Sequence, residues 1–143
     1  MSTFHHSRSL PKWALAGAIM AIVMTQVGCS EEGESLTRLS GQVTIHNQPV
    51  PFGVIQFTPD ASAGNQGAAG FAEIRDGRFD TDAGGRGVTG GAFTAMIDAY
   101  SMQNVNPDIK PYGDPLVTGY KRKVTVDQGP AAELNFEIDR NKR

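Results

Sequence analysis

The chain has 143 residues, with 13 basic side chains, 15 acidic side chains and a single cysteine. This length allows one domain of ordinary size. One cysteine excludes an internal disulfide. The mildly acidic composition argues against a nucleic-acid partner, because proteins that bind nucleic acids concentrate positive charge on one surface.

The first 28 residues have the pattern of a secretory signal peptide. Residues 1–12 carry two basic side chains, Arg8 and Lys12, and no acidic one, and the next 15 residues are mostly apolar and uncharged. A basic region followed by an apolar stretch of this length is typical of export signals. The stretch is shorter than the roughly 20 residues of a transmembrane helix. An uncleaved N-terminal anchor is the alternative interpretation.

The end of this leader, Gln26-Val27-Gly28-Cys29, resembles the lipobox of bacterial lipoproteins. Gln26 departs from that pattern, in which an aliphatic residue is usual. The resemblance implies cleavage between Gly28 and Cys29 and a lipid on Cys29. The lipid would attach the protein to a membrane on the exported side, either in the periplasm or at the outer membrane and cell surface. Loss of residues 1–28 leaves 13 − 2 = 11 basic and 15 acidic side chains, a net charge of −4.

Residues 29–38 contain three glutamates and few apolar residues, a composition typical of a flexible acidic tether. The β-pattern begins at residue 39. Val43 and Ile45 alternate with polar residues, as do Ile55 and Phe57. This period of two predicts two strands that each bury one face, and we expect them to form a hairpin around Asn47-Gln48-Pro49.

The strand pattern continues to residue 139. Asp76-Gly77 predicts a tight hairpin turn, and residues 91–100 alternate over five pairs. Residues 101–118 have no consistent period and contain three prolines, which indicates a long functional loop or crossover. Residues 121–126 and 132–138 are the last two predicted strands, and the basic residues 140–143 form a tail.

Seven short strands and no helical period predict an all-β sandwich. Its core is expected to contain apolar residues from six of the seven strands: Val43, Ile45, Ile55, Phe57, Phe79, Phe93, Ile97, Val124, Val126, Phe136 and Ile138.

Several short motifs occur in a familiar order: Gly41-Gln42-Val43-Thr44, Asn47-Gln48-Pro49-Val50, Asp76-Gly77-Arg78-Phe79, Gly91-Ala92-Phe93-Thr94 and Pro111-Tyr112-Gly113-Asp114-Pro115. In this order they resemble carboxypeptidase regulatory-like, transthyretin-like domains, as found in small lipoproteins common in planctomycete bacteria. The resemblance implies a Greek-key (prealbumin/Ig-like) sandwich over residues 39–139 that acts as a binding, accessory or structural module. It implies no catalytic residues and no cofactor.

The residues expected to carry function lie in and around the long loop: Tyr100, Tyr112, Asp114 and Tyr120. We expect this surface to contact an envelope protein or polysaccharide. A self-associating wall or surface-layer element is the alternative. A small transthyretin-like hydrolase is less favoured, since His46 is the only histidine after the leader. Asp76, Asp80 and Asp82 could supply oxygen ligands to a weak calcium site, but a turn and a solvent-facing strand are the favoured explanation, and no metal site is predicted.

Overall fold

A computed structural model describes residues 35–139 of the chain. The expected signal peptide, Gly28, Cys29, most of the tether and the basic tail lie outside these residues. The described part is all-β, without an α-helix, and its strands form a curled, mainly antiparallel sheet. The strands are β1 Arg38–Ile45, β2 Gln48–Pro49, β3 Phe52–Pro59, β4 Gly70–Arg75, β5 Arg78–Asp80, β6 Gly91–Tyr100, β7 Pro115–Val126, β8 Ala131–Glu133 and β9 Phe136–Ile138, with a 3₁₀ turn at Ala61–Ala63.

Neighbouring strands pair in the order β1-β5-β4-β3-β6-β7. β2 pairs with the end of β1 on the same edge as β5, and β8 and β9 pair with the other edge of β1. The predicted turn at Asp76-Gly77 is confirmed. Both residues have positive φ angles, 49° and 74°, and they join β4 to β5 as neighbours. The predicted strand at residues 91–100 is also confirmed as β6, with its odd-numbered residues from Phe93 to Ala99 buried.

The expected hairpin between the first two long strands is wrong. The chain turns at His46 and Asn47, whose φ angles are 49° and 62°, and only the two residues of β2 pair back onto β1. β3 instead lies between β4 and β6. Alternation of apolar and polar residues marks each strand, but it contains no information about the partner, so sequence neighbours were wrongly taken as sheet neighbours.

The last predicted strand is divided in two. β8 and β9 are separated by Leu134 and Asn135, and both run parallel to β1. Between them the Leu134 carbonyl oxygen approaches the backbone of Gly41, where an added Cβ would lie 1.8 Å from that oxygen. Only glycine fits at such a contact. This division and the separate β2 give nine strands where seven were expected.

The inner face of the curled sheet contains one hydrophobic core. Of the predicted core residues only Val124 is half-buried, and the others are buried. Further buried residues were not predicted, among them Leu39, Ile74 and Val88. Three rings continue the core from β3 through β5 to β9: the Phe79 centroid lies 6.1 Å from those of both Phe57 and Phe136.

The core predicts a large effect from Ile97→Ala. Ile97 is fully buried at the centre of β6, and truncating such a residue lowers the free energy of unfolding by about 2–5 kcal/mol. Chemical denaturation measures this change. Thr125→Ala, on the exposed side of β7, serves as the control and should stay within about 0.5 kcal/mol. Equal losses in the two variants would contradict the assigned inner face.

Candidate functional site

The candidate site is built around Phe52, an apolar residue on the outward face of its strand. In β3 the odd-numbered residues Gly53, Ile55 and Phe57 face the core, so Phe52 faces outward, yet only 4% of it is exposed. Its cover comes from Tyr112 and Tyr100. The Phe52 and Tyr112 rings stack with centroids 4.3 Å apart and an interplanar angle of 23°, and Tyr100 lies 5.7 Å from Tyr112.

The cluster has a cation at its edge. Arg75 is opposite Phe52 in the β3–β4 ladder, and its guanidinium carbon lies 5.3 Å from the Phe52 centroid. The Arg75 guanidinium also donates to Glu73 Oε2 at 2.6 Å. Ring stacking therefore holds the long loop against the outer face of the sheet, and the cation–π contact packs Arg75 against the Phe52 ring on which the loop rests.

Asp114 ties the two ends of this loop together. Its carboxylate accepts hydrogen bonds from Asn104 Nδ2 at 2.6 Å and Lys110 Nζ at 2.7 Å. The Asp114 N–H donates to the Gln103 carbonyl, and the Asp114 carbonyl accepts from the Ser101 N–H. The Asn104 hydrogen bond and then the Lys110 ammonium lower the pKa of Asp114 below its ordinary value.

The tip of the loop is a tight turn closed by its backbone. Asn106 and Lys110 exchange backbone hydrogen bonds of 3.1 and 2.7 Å, and the Asn106 side chain accepts from the Asp108 N–H. The loop nevertheless exposes apolar side chains: Met102 (48%), Val105 (48%), Ile109 (76%) and Tyr112 (44%). Residues 101–114, called the 101–114 loop below, thus present an apolar surface on a backbone that is already ordered.

The structure brings together three of the four residues singled out from the sequence. Tyr100 and Tyr112 are in ring contact, and Asp114 fixes the loop that carries Tyr112. Tyr120 is separate from them. It is opposite Ile97 in the β6–β7 ladder, and it packs half-buried against the core on the inner side of the sheet.

The three aspartates considered for calcium have protein partners or lie apart. Arg38 donates to both carboxylate oxygens of Asp80, and its Nε lies 3.5 Å from Asp82. The hydrogen bond from Arg38 lowers the pKa of Asp80 to about 2. Asp76 occupies the β4–β5 turn. Within residues 35–139, no three His, Cys, Asp or Glu side chains are grouped so that they could hold a metal ion.

His46 is exposed in the turn after β1, with Nε2 3.9 Å from Asp139 Oδ1.

Within residues 35–139, none of the helical structure is long and apolar enough to cross a membrane. No protein-family model, curated protein or solved structure gives a significant match to this chain.

Sequence reasoning missed Phe52 and the apolar loop residues Met102, Val105 and Ile109. Phe52 did leave a signal, because it has the parity of the exposed residues Gln56 and Thr58 in an otherwise alternating strand. An apolar ring on the solvent face of a strand indicates that something covers it.

Asp114→Ala should loosen the 101–114 loop without unfolding the domain. The variant removes the carboxylate that accepts from Asn104 and Lys110, so backbone amides in the loop should exchange with solvent about tenfold faster while those in β6 stay unchanged. Hydrogen exchange measures both. Asp108→Ala removes the same charge from the same loop, and its side chain has no hydrogen bond or ion pair with the described residues. Equally fast exchange in both variants would contradict the role of Asp114.

Proposed function

We propose that this protein is a lipid-anchored, non-enzymatic component of a bacterial cell envelope whose 101–114 loop binds another envelope protein. The main observation that supports this proposal is the exposure of four apolar side chains on a loop whose backbone is fixed by its own hydrogen bonds. Exposed apolar groups favour a protein partner. Prior ordering reduces the conformational entropy lost on binding.

The fold assignment is part of the same proposal. The order of motifs supports a Greek-key sandwich of the carboxypeptidase regulatory-like type, and the curled sheet with one enclosed core is compatible with it. Proteins of that type act as accessory modules. The predicted tether extends to residue 38, but Thr37 is buried and pairs with Val88, and Arg38 begins β1. The shorter segment between Cys29 and Thr37 would separate the domain from the lipid.

A self-associating structural element is the second candidate, because apolar loop residues could also contact a second copy. A hydrolase is less supported. His46 is exposed, and its Nε2 lies 3.9 Å from Asp139 Oδ1. Nucleophilic catalysis needs a base within hydrogen-bond reach of a nucleophile.

Lipid attachment is tested by Cys29→Ser in the native host. The thiol is the atom that would carry the lipid, so the variant should lose all fatty-acid labelling and accumulate as the uncleaved precursor. Metabolic labelling followed by gel analysis measures both. Ser30→Ala is the matched control and should be labelled and cleaved normally. Labelling of the Cys29→Ser protein would exclude lipidation at this residue.

The binding role is tested by a photo-crosslinking amino acid placed at Ile109, the most exposed apolar loop residue, in full-length protein in living cells. One recurrent protein should be captured, and Asp114→Ala should reduce its yield at least about fivefold because the loop is no longer pre-ordered. The same crosslinker at Gln48, exposed on β2, should not capture it. Crosslinks only between copies would favour the structural role, and an equal yield at Gln48 would reject the loop as the binding surface.

A further inference from the structure

Five side chains form a continuous row across the outer face of the sheet. Phe71 on β4 pairs with Arg86 on one side and with Gln56 on β3 on the other. Gln56 pairs with Met96 on β6, and Met96 pairs with Lys121 on β7. Paired residues in neighbouring strands lie on the same face. The row Arg86–Phe71–Gln56–Met96–Lys121 is called the outer row below. Its four strand spacings of about 4.8 Å give it a length of about 19 Å.

The middle of the outer row is accessible and partly apolar. Phe71 is 46% exposed, and Gln56 is exposed beside it. A shallow groove of about 400 Å³ follows this part of the sheet, lined by Val54, Gln56, Thr58, Phe71 and Arg86. Unlike Phe52, the Phe71 ring has no aromatic neighbour in the described part of the chain. A ring, an amide and a groove are therefore available to a ligand.

The two ends of the outer row are cations without partners. The side chains of Arg86 and Lys121 have no hydrogen bond or ion pair with any described residue. The nearby carboxylates are already engaged: Glu73 with Arg75 at 2.6 Å, Asp98 with the Gly119 N–H at 2.7 Å, and Asp60 with Lys123 at 2.8 Å. The row consequently has positive charge at both ends of a half-apolar centre.

We propose that the outer row binds an extended acidic polysaccharide. The apolar face of a sugar ring can stack on Phe71, Gln56 can hydrogen-bond sugar hydroxyls, and carboxylates further along the chain can pair with Arg86 and Lys121. A bound peptide fits less well. Its backbone groups need a free strand edge for pairing, whereas the outer row lies on a sheet face and offers one amide side chain.

This site is independent of the 101–114 loop. The row Glu73–Val54–Asp98 separates the outer row from the Arg75–Phe52–Tyr100 row that supports Tyr112. No residue of the outer row takes part in the hydrogen bonds, ion pairs or ring contacts of the loop. A glycan and a loop-bound protein could therefore be held at the same time.

The test is calorimetric titration of the full-length protein in detergent with tetragalacturonate at physiological ionic strength. We expect binding that weakens as salt is added. Phe71→Ala should weaken it about tenfold and Arg86→Gln or Lys121→Gln about three- to tenfold. The neutral oligosaccharide cellotetraose and poly-L-glutamate should bind at least about tenfold more weakly.

Arg78→Gln is the matched control. Arg78 is exposed on β5 and lies outside the outer row, so this substitution removes the same charge from a different place. The affinities of the Arg78→Gln and Asp114→Ala variants for tetragalacturonate should stay within about twofold of that of the parent protein. Absence of binding, an equal loss in Arg78→Gln and Arg86→Gln, or tighter binding of poly-L-glutamate would overturn the proposal. Thermal melting of each variant excludes unfolding, and Arg86→Gln decides the outcome if Phe71→Ala is destabilised.

Discussion

The structure depends on one strand being paired along both of its edges. β1 has β5 and β2 on one side and β8 and β9 on the other. Gly41 makes this possible, since any side chain there would collide with the Leu134 carbonyl and push the last two strands away. Side chains reinforce both edges. Arg38 pairs with Asp80 on β5, and Glu137 on β9 accepts from Thr44 and from the Asn47 N–H.

The outer face of the sheet carries two phenylalanine side chains in different surroundings. At one corner, Phe52 is an apolar anchor on which the chain packs its own loop through Tyr112. Further along the same face, Phe71 is a similar outward ring that the described chain leaves uncovered. The same type of residue thus packs against the chain's own loop in one place and stays half-exposed in the other.

Local features were predictable from sequence, whereas partnerships between distant segments were not. The Asp76-Gly77 turn and the buried face of β6 follow from backbone preference and alternation within a few residues. The parallel pairing of β9 with β1 and the stacking of Tyr112 on Phe52 join residues far apart in the chain, and no local pattern encodes them. Tyr100, Tyr112, Asp114 and Tyr120 were singled out because they lie in or beside the long loop. The first three are close together in the fold, whereas Tyr120 packs against the core on the other face of the sheet.

The double pairing of β1 also constrains how the molecule is made. Gln42 bonds to Asn135 and Thr44 bonds to Glu137, and the two residues of each pair are 93 positions apart in the chain. The second edge of β1 is therefore paired only after the last strand has been synthesised. Contacts at such separation form slowly because the intervening loop must first be brought together. During synthesis the nascent domain should therefore remain incomplete until its final strand has left the ribosome. Until then, the second edge of β1 exposes backbone N–H and C=O groups that have no partner in the sheet.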